Sequence, residues 1–364
     1  SIVNAFTGKL LITTNDTGAE TDGDVEIDGG TTNLIVGLST IDGDLVLLSG
    51  GTITDDGIAT VRGTLTATTD ADDSAITLNQ LAVTGALTLA PNGSGNVIIV
   101  NAVNLNLAES TMRGIFSGTA TTGDISDSGN LAITGAATFI TAQDAQDIIL
   151  DQSGNAFTTT VTMKAGTGGS LAFNDITFVD STAVKLHSSA ASNGDLFIDA
   201  GTNLAVGGDL SITATNGDIT QGAALRVTGA ATFITATTSK NIILDQNNVF
   251  TTTVTMKAGT GGSLAFNNIT FKDSDGVRLH SSAASNGDLF IDTAGTNLAV
   301  GNDLSITATT GDITQGSALA VGGASSFTTS ADNATITLNN ANAFTDSVAL
   351  STTGSSAHAT VVDA

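Results

Sequence analysis

The chain has 364 residues, of which 42 are Gly and one is Pro, and it contains no Cys, Trp or Tyr. Acidic residues outnumber basic ones 35 to 10, for a net charge of −25. That balance excludes the basic footprint of a nucleic-acid binder and repels an anionic membrane surface, while the lack of Cys excludes disulfides and thiolate chemistry.

Short Val, Ile, Leu and Thr runs separated by Gly, Asn and Asp predict strands joined by tight turns. No apolar run is long enough to span a bilayer. The chain opens on Ser1 with nothing like a signal peptide, so it is expected to be a mature or excised segment.

In chain order, the run from Gly23 to Gly37 aligns without a gap on that from Gly287 to Gly301. The opening therefore already lies inside a repeat. Val61 corresponds to Ile133, Val227 and Val321, at successive spacings of 72, 94 and 94 residues. The stretch L-A-I-T-G-A-A-T-F-I-T-A, starting at Leu131, returns as L-R-V-T-G-A-A-T-F-I-T-A from Leu225 and more loosely from Leu319. A fixed period of this kind marks a repeat architecture. The chain is read as one continuous β-solenoid over 1–364, with units 1–60 (partial), 61–130, 131–224, 225–318 and 319–364 (partial).

The short first spacing lacks 22 residues (94 − 72). If a layer holds about 22–24 residues, the long unit has four layers and the short one three, since only whole layers are lost without flipping strand faces. That predicts an all-β parallel β-helix of fifteen or sixteen coils, roughly 70–75 Å long at the usual strand spacing. Leu210-x-Ile212, Val161-x-Met163 and Leu225-x-Val227 alternate apolar with polar residues, as half-buried strands do. No sustained 3.6-residue period appears, so little or no helix is expected. Gly-Asp pairs such as Gly208-Asp209, Gly217-Asp218 and Gly311-Asp312 precede many runs. In them Gly is expected to supply positive φ and Asp to cap its own turn. Phe139, Phe233 and Phe327 recur at matched places, as do Phe157, Phe250 and Phe344, Phe173 and Phe266, Phe178 and Phe271, and Phe197 and Phe290. They are read as core plugs, with identical side chains stacking four coils apart.

The run G-D-I-T-Q-G-x-A-L-x-V-x-G, at Gly217 and again at Gly311, and S-F-T-T-S-A-D-N-A-T-I-T-L-N-N from Ser326 resemble giant bacterial surface exoproteins of the filamentous-haemagglutinin-like class. The resemblance implies a right-handed parallel β-helix, an extracellular address at the bacterial cell surface, and adhesion or scaffolding. The N-terminal secretion domain of that family is not recognisable in this chain, so its export route is not carried over.

Three kinds of residue could carry chemistry. His187 and His280 are copies of one repeat position, too far apart to share a metal, and His358 stands in another context. The acidic clusters at Asp22/Asp24, Asp55/Asp56 and Asp70/Asp72/Asp73 have only Arg62 nearby and lack the aromatic platforms of a sugar site, so they read as solvated turns. Asp-rich turns offer the oxygen ligands that Ca²⁺ takes, which makes structural calcium the one cofactor the sequence admits. Thr-x-Thr rows such as Thr158 to Thr162 recur only once in several coils and read as β-propensity rather than an ice-binding face. No catalytic, cofactor-binding or metal residue is assigned.

The expected function is a non-catalytic structural stalk or fibre segment, outside the cell, whose partners are further copies of itself through end-to-end or lateral assembly. The alternative is an adhesin that meets surface glycans or neighbouring cells through its lateral face. Behind these stand a polysaccharide lyase or hydrolase and an ice-binding solenoid. Neither nucleic acid nor a membrane span is expected.

Overall fold

The computed structural model describes residues 4–14, 23–166, 174–187, 204–259, 267–280 and 298–364, together with the strands Asp195–Ile198 and Asp288–Ile291 as backbone. Phe173, Phe266, Asp22 and the side chains of Phe197 and Phe290 lie outside the described residues. Every regular element among those described is a strand, and none is a helix. No helix long and apolar enough to cross a membrane is therefore present among them. The strands pair in parallel with strands of neighbouring turns, stacked as a β-solenoid of about 13 turns. Two compact units are distinguished: 1–168 with 172–177 and 191–194, and 169–171 with 178–190 and 195–364.

In the first unit Ile53, Ile76, Val97, Phe116, Ala137 and Val161 lie one above another in a long sheet. Val25, Leu45, Leu65 and Leu87 do the same in a second long sheet. A narrow third sheet holds Ser110–Met112, Leu131–Ile133 and Ala156–Phe157. The strand Ala137–Thr141 buries every second residue, the period-two pattern that the pleat imposes. Its centre, Phe139, is fully buried. The Phe139 ring lies 5.2 Å from that of Phe116 and 6.2 Å, edge-on, from that of Phe157, both favourable aromatic geometries.

The second unit repeats this plan with a twist in its connectivity. One long sheet stacks Ile219, Ile242, Ile269, Leu304, Ser325 and Val348. The other begins with Leu210, Ala231 and Val254 and continues through Val277, Ile313, Ile336 and Ala359. Between Val254–Ala258 and Val277–His280 an additional strand, Asp288–Ile291, is inserted and pairs with both. One narrow sheet carries Leu204–Val206, Leu225–Val227 and the end of Ile242–Phe250. A separate one carries Leu298–Val300, Leu319–Val321 and the end of Ile336–Phe344.

This layout corrects two expectations. Turns are not uniformly 22–24 residues: Leu304 pairs with Ser325, 21 residues on, but Val277 pairs with Ile313, 36 residues on. The extra length of the long turn includes an inserted strand rather than a separate coil, so about 13 turns replace fifteen or sixteen. Nor do copies 94 residues apart lie four coils above one another. The inserted strand Asp288–Ile291 aside, the chain passes from Ala231 to Ile242, Val254, Ile269, Val277, Leu304, Ile313 and Ser325, alternating between the two long sheets. Those seven half-turns make 3.5 turns, and Phe233 and Phe327 enter the core from opposite sheets. Such a period is tolerated because both long sheets face the same core and bury the same alternate residues. Phe344 is only half-buried; the strands Val348–Thr353 and Ala359–Asp363 follow it.

The repeated glycines also act differently from expectation. Gly208, Gly217 and Gly311 are not among the glycines with positive φ. What glycine provides is close approach. A Cβ at Gly135 would overlap the Gly114 carbonyl, and one at Gly229 would overlap the backbone of Gly208. Gly229→Ala is expected to cost about 1–3 kcal/mol by forcing neighbouring turns apart; an unchanged denaturation midpoint would show that the turns yield there.

Candidate functional site

The corners are held by side chains that reach into the next turn. In the first unit Asp24 Oδ1 accepts the Asp44 N–H at 2.8 Å, and Asp44 Oδ1 accepts the Thr64 N–H at 2.6 Å. Asn104, Asp124 and Asp147 accept in the same way from Asp124, Asp147 and Asp175. In the second unit the ladder runs from Asp218 to Asn241, Asn268, Asp303 and Ala324, with N···O distances of 2.8, 3.3, 3.2 and 2.9 Å. The Gly-Asp signature thus caps the following turn rather than its own. Burial pushes the Asp147 carboxyl upward, with help from the charges of Asp175 and Asp124, against the Asp175 N–H and the Asn174 amide.

A second set of polar groups lies inside the core. Asn155, Asn248 and Asn342 are fully buried, and each Oδ1 accepts a backbone N–H, from Leu131, Leu225 and Leu319 respectively. Asn248 and Gln221 exchange amide hydrogen bonds at 3.0 and 2.8 Å, and Asn248 also donates to the Lys272 carbonyl at 3.0 Å. Asn342 and Gln315 repeat the exchange. At the matching place in the first unit the partner of Asn155 is Asp127, at 2.6 Å. Sequence reasoning missed these residues. Their signal was present: Asn stands two residues before Phe157, Phe250 and Phe344, and Asp127, Gln221 and Gln315 close matched runs.

Burial raises the Asp127 carboxyl above its ordinary value, opposed by the Asn155 amide. A raised native value means that the folded chain holds its proton more tightly than the unfolded one. Stability from this group is therefore greatest in acid and is lost as pH rises through the native value. Asp127→Gln, which copies the other two repeats, is expected to increase stability at neutral pH and flatten that acid-side gain; urea melts across the range would reveal it.

Asp273 closes the first of the narrow sheets of the second unit. After Ile269–Asp273 the chain turns directly into Val277–His280, so no narrow strand is laid over Phe250. The Asp273 carboxylate, 1% exposed, accepts the N–H groups of Ser274, Phe250 and Asp275. It stands where the carbonyl of a further strand would otherwise be. Asp363 Oδ1 serves Phe344 N–H likewise, at 3.0 Å.

The residues singled out from sequence are dispersed. His187 and His280 belong to opposite long sheets, packed against Gly222 and Gly316, where a Cβ would overlap the ring. His358 is exposed. Arg62 pairs with the nearly buried Asp42 at 2.5 Å, not with the acidic clusters. Asp55 accepts the Gln80 N–H, Asp56 meets Lys9, and Asp73 accepts the Ser94 hydroxyl and N–H, which hold its carboxyl below the ordinary value. Among the described residues no three His, Asp or Glu side chains are grouped to hold a metal ion. Shallow grooves among the described residues include one of about 370 Å³ beside Asn268, Asp303 and Ser326 and one of about 440 Å³ beside Phe6, Thr31 and Asn33.

Four segments of the chain, 22–90, 94–164, 174–257 and 286–351, match the family model described as "Repeats of unknown function (DUF5649)". The chain belongs to that family. The matches span well over half of its length and agree with a repeat β-helix protein, without distinguishing the filamentous-haemagglutinin-like class. No curated protein and no solved structure matches it.

Proposed function

We propose that this chain is a non-catalytic structural repeat, a stiff stalk or fibre segment of an extracellular bacterial surface protein of the filamentous-haemagglutinin-like kind. The observation that supports this most is where its distinctive residues are spent. The repeated Phe, Asn and Asp side chains bind one turn to the next, the repeated Gly residues let the turns approach closely, and the recurring motif is used for stacking. Stacked repeats draw stability from nearest-neighbour interfaces, which suits a protein whose output is length and surface.

Copies of the chain are the partners proposed, through end-to-end or lateral assembly, with surface glycans as the alternative occupants of its lateral face. With a net charge of −25, association should strengthen as salt screens repulsion, and Ca²⁺ should strengthen it further if carboxylates bind it. Light scattering at increasing NaCl and CaCl₂ checks this. Growth of assemblies is expected; a particle size indifferent to both would count against self-assembly.

A further inference from the structure

We infer that Asp273 is a proton-operated latch on the open edge of the narrow sheet ending at Phe250, holding that edge tightly when neutral and loosening it when ionised. The geometry carries the inference. Phe250 closes the narrow sheet, with Thr251 N–H bound back to the Val227 carbonyl of the preceding turn. Its own N–H points forward and is accepted by the Asp273 side chain, since the next turn omits the narrow strand. Directly below lie the buried amides of Gln221 and Asn248, so three successive turns place Gln, Asn and Asp at one internal corner. The first two cannot titrate in the physiological range and the third can.

The surroundings favour the neutral carboxyl. Asp273 is 1% exposed, and burial lifts it from 3.8 to about 6 despite its three backbone donors. The charge of Asp275, two residues along the turn, adds to this. Among described elements packed here, Ile242–Phe250 brings Asp245, Val277–His280 brings Arg278 and His280, Lys272 lies on the strand of Asp273 itself, and Leu304–Ala308 brings no titratable group. The largest influences on the Asp273 carboxyl are its burial and its three backbone donors. A neutral carboxyl still accepts the Phe250 N–H through its carbonyl oxygen. An ionised one must instead be kept from water, which favours opening of the edge. The sign follows: a raised native value gives stability that is full below about pH 4 and is lost as pH rises through about 6.

The test compares the intact chain with its Asp273→Asn and Asp245→Asn variants. Amide-exchange protection at Phe250 and Ser274 is read at about pH 4.5 and about pH 7.5, corrected for intrinsic exchange, to bracket the native value. In the wild type, protection should fall by as much as about 25-fold between the two, because pH 4.5 already lies above the open-state value of 3.8 and part of the effect is spent there. Asp273→Asn should abolish that dependence, and Asp245→Asn should keep it. Equal pH dependence in wild type and Asp273→Asn would overturn the latch. Should Asp273→Asn not fold, the carboxyl resonance of wild-type Asp273 decides: a midpoint near 6 upholds the latch, and one at or below the ordinary Asp value overturns it.

Discussion

Phe139→Ala is expected to remove about 3–5 kcal/mol from the first unit, the usual cost of deleting a buried aromatic side chain. Phe139 has no exposed surface and bridges the rings of Phe116 and Phe157 in the turns on either side. Its loss therefore removes contacts from three layers at once and leaves a cavity between strands that hydrogen bonds fix in place. The strands cannot collapse inward without breaking the parallel register. Phe139→Leu should retain more than half of the lost stability, because it refills most of the volume. Urea denaturation followed by circular dichroism measures both. A cost below about 1 kcal/mol for the alanine variant would mean that the aromatic column is not what joins these turns.

Asn248→Ala is the second large effect, expected at about 3 kcal/mol. The substitution strands the Leu225 N–H and the Lys272 carbonyl, and it takes one partner from each end of the Gln221 amide, which keeps the Ala223 carbonyl and the Gln246 N–H. Each unsatisfied buried group carries its own desolvation penalty. Combining it with Gln221→Leu, which removes the other member of the exchanged amide pair, should cost less than the sum of the single changes, by about 1 kcal/mol or more. Strict additivity would argue that the two amides do not act as a pair. The matching Asn342 and Gln315 lie in a more exposed layer, so the same change there should cost less.

Much of this arrangement could be read from the residues. The alternation of Ala137–Thr141, the punctuation by Gly and Asn, and the absence of helical spacing lead to stacked parallel strands, and Phe139 is buried as its repetition suggests. The winding was not legible. A period of 94 fixes which residues are equivalent but not which face they occupy, and Ala231 and Ser325 show that equivalent strands can fall on opposite sheets. Coil length failed for a related reason. The inserted strand Asp288–Ile291 has the same composition as a strand with a turn of its own.

Roles of individual polar residues were the hardest to foresee. Asp218 looks like a residue that caps its own turn, and only the stacking shows its carboxylate on the Asn241 N–H of the next. Asn155, Asn248 and Asn342 would pass for loop residues in so Asn-rich a chain. Their common spacing to Phe was the clue, and it gains meaning only once the corner is seen to be dry.

The central claim is that the 94-residue repeat is a self-contained structural module whose residues serve stacking. The most direct measurement removes one. Excising residues 225–318 joins Ala224 to Leu319, the place where Leu225 stood, and takes out 3.5 turns whole. Because stability in stacked repeats is set by neighbouring interfaces, the shortened chain should keep the same β-sheet circular dichroism per residue. It should also unfold cooperatively at nearly the same temperature. A chain that loses its β-sheet signal or its cooperative transition would contradict the account, since its residues would then be serving something other than one turn upon the next.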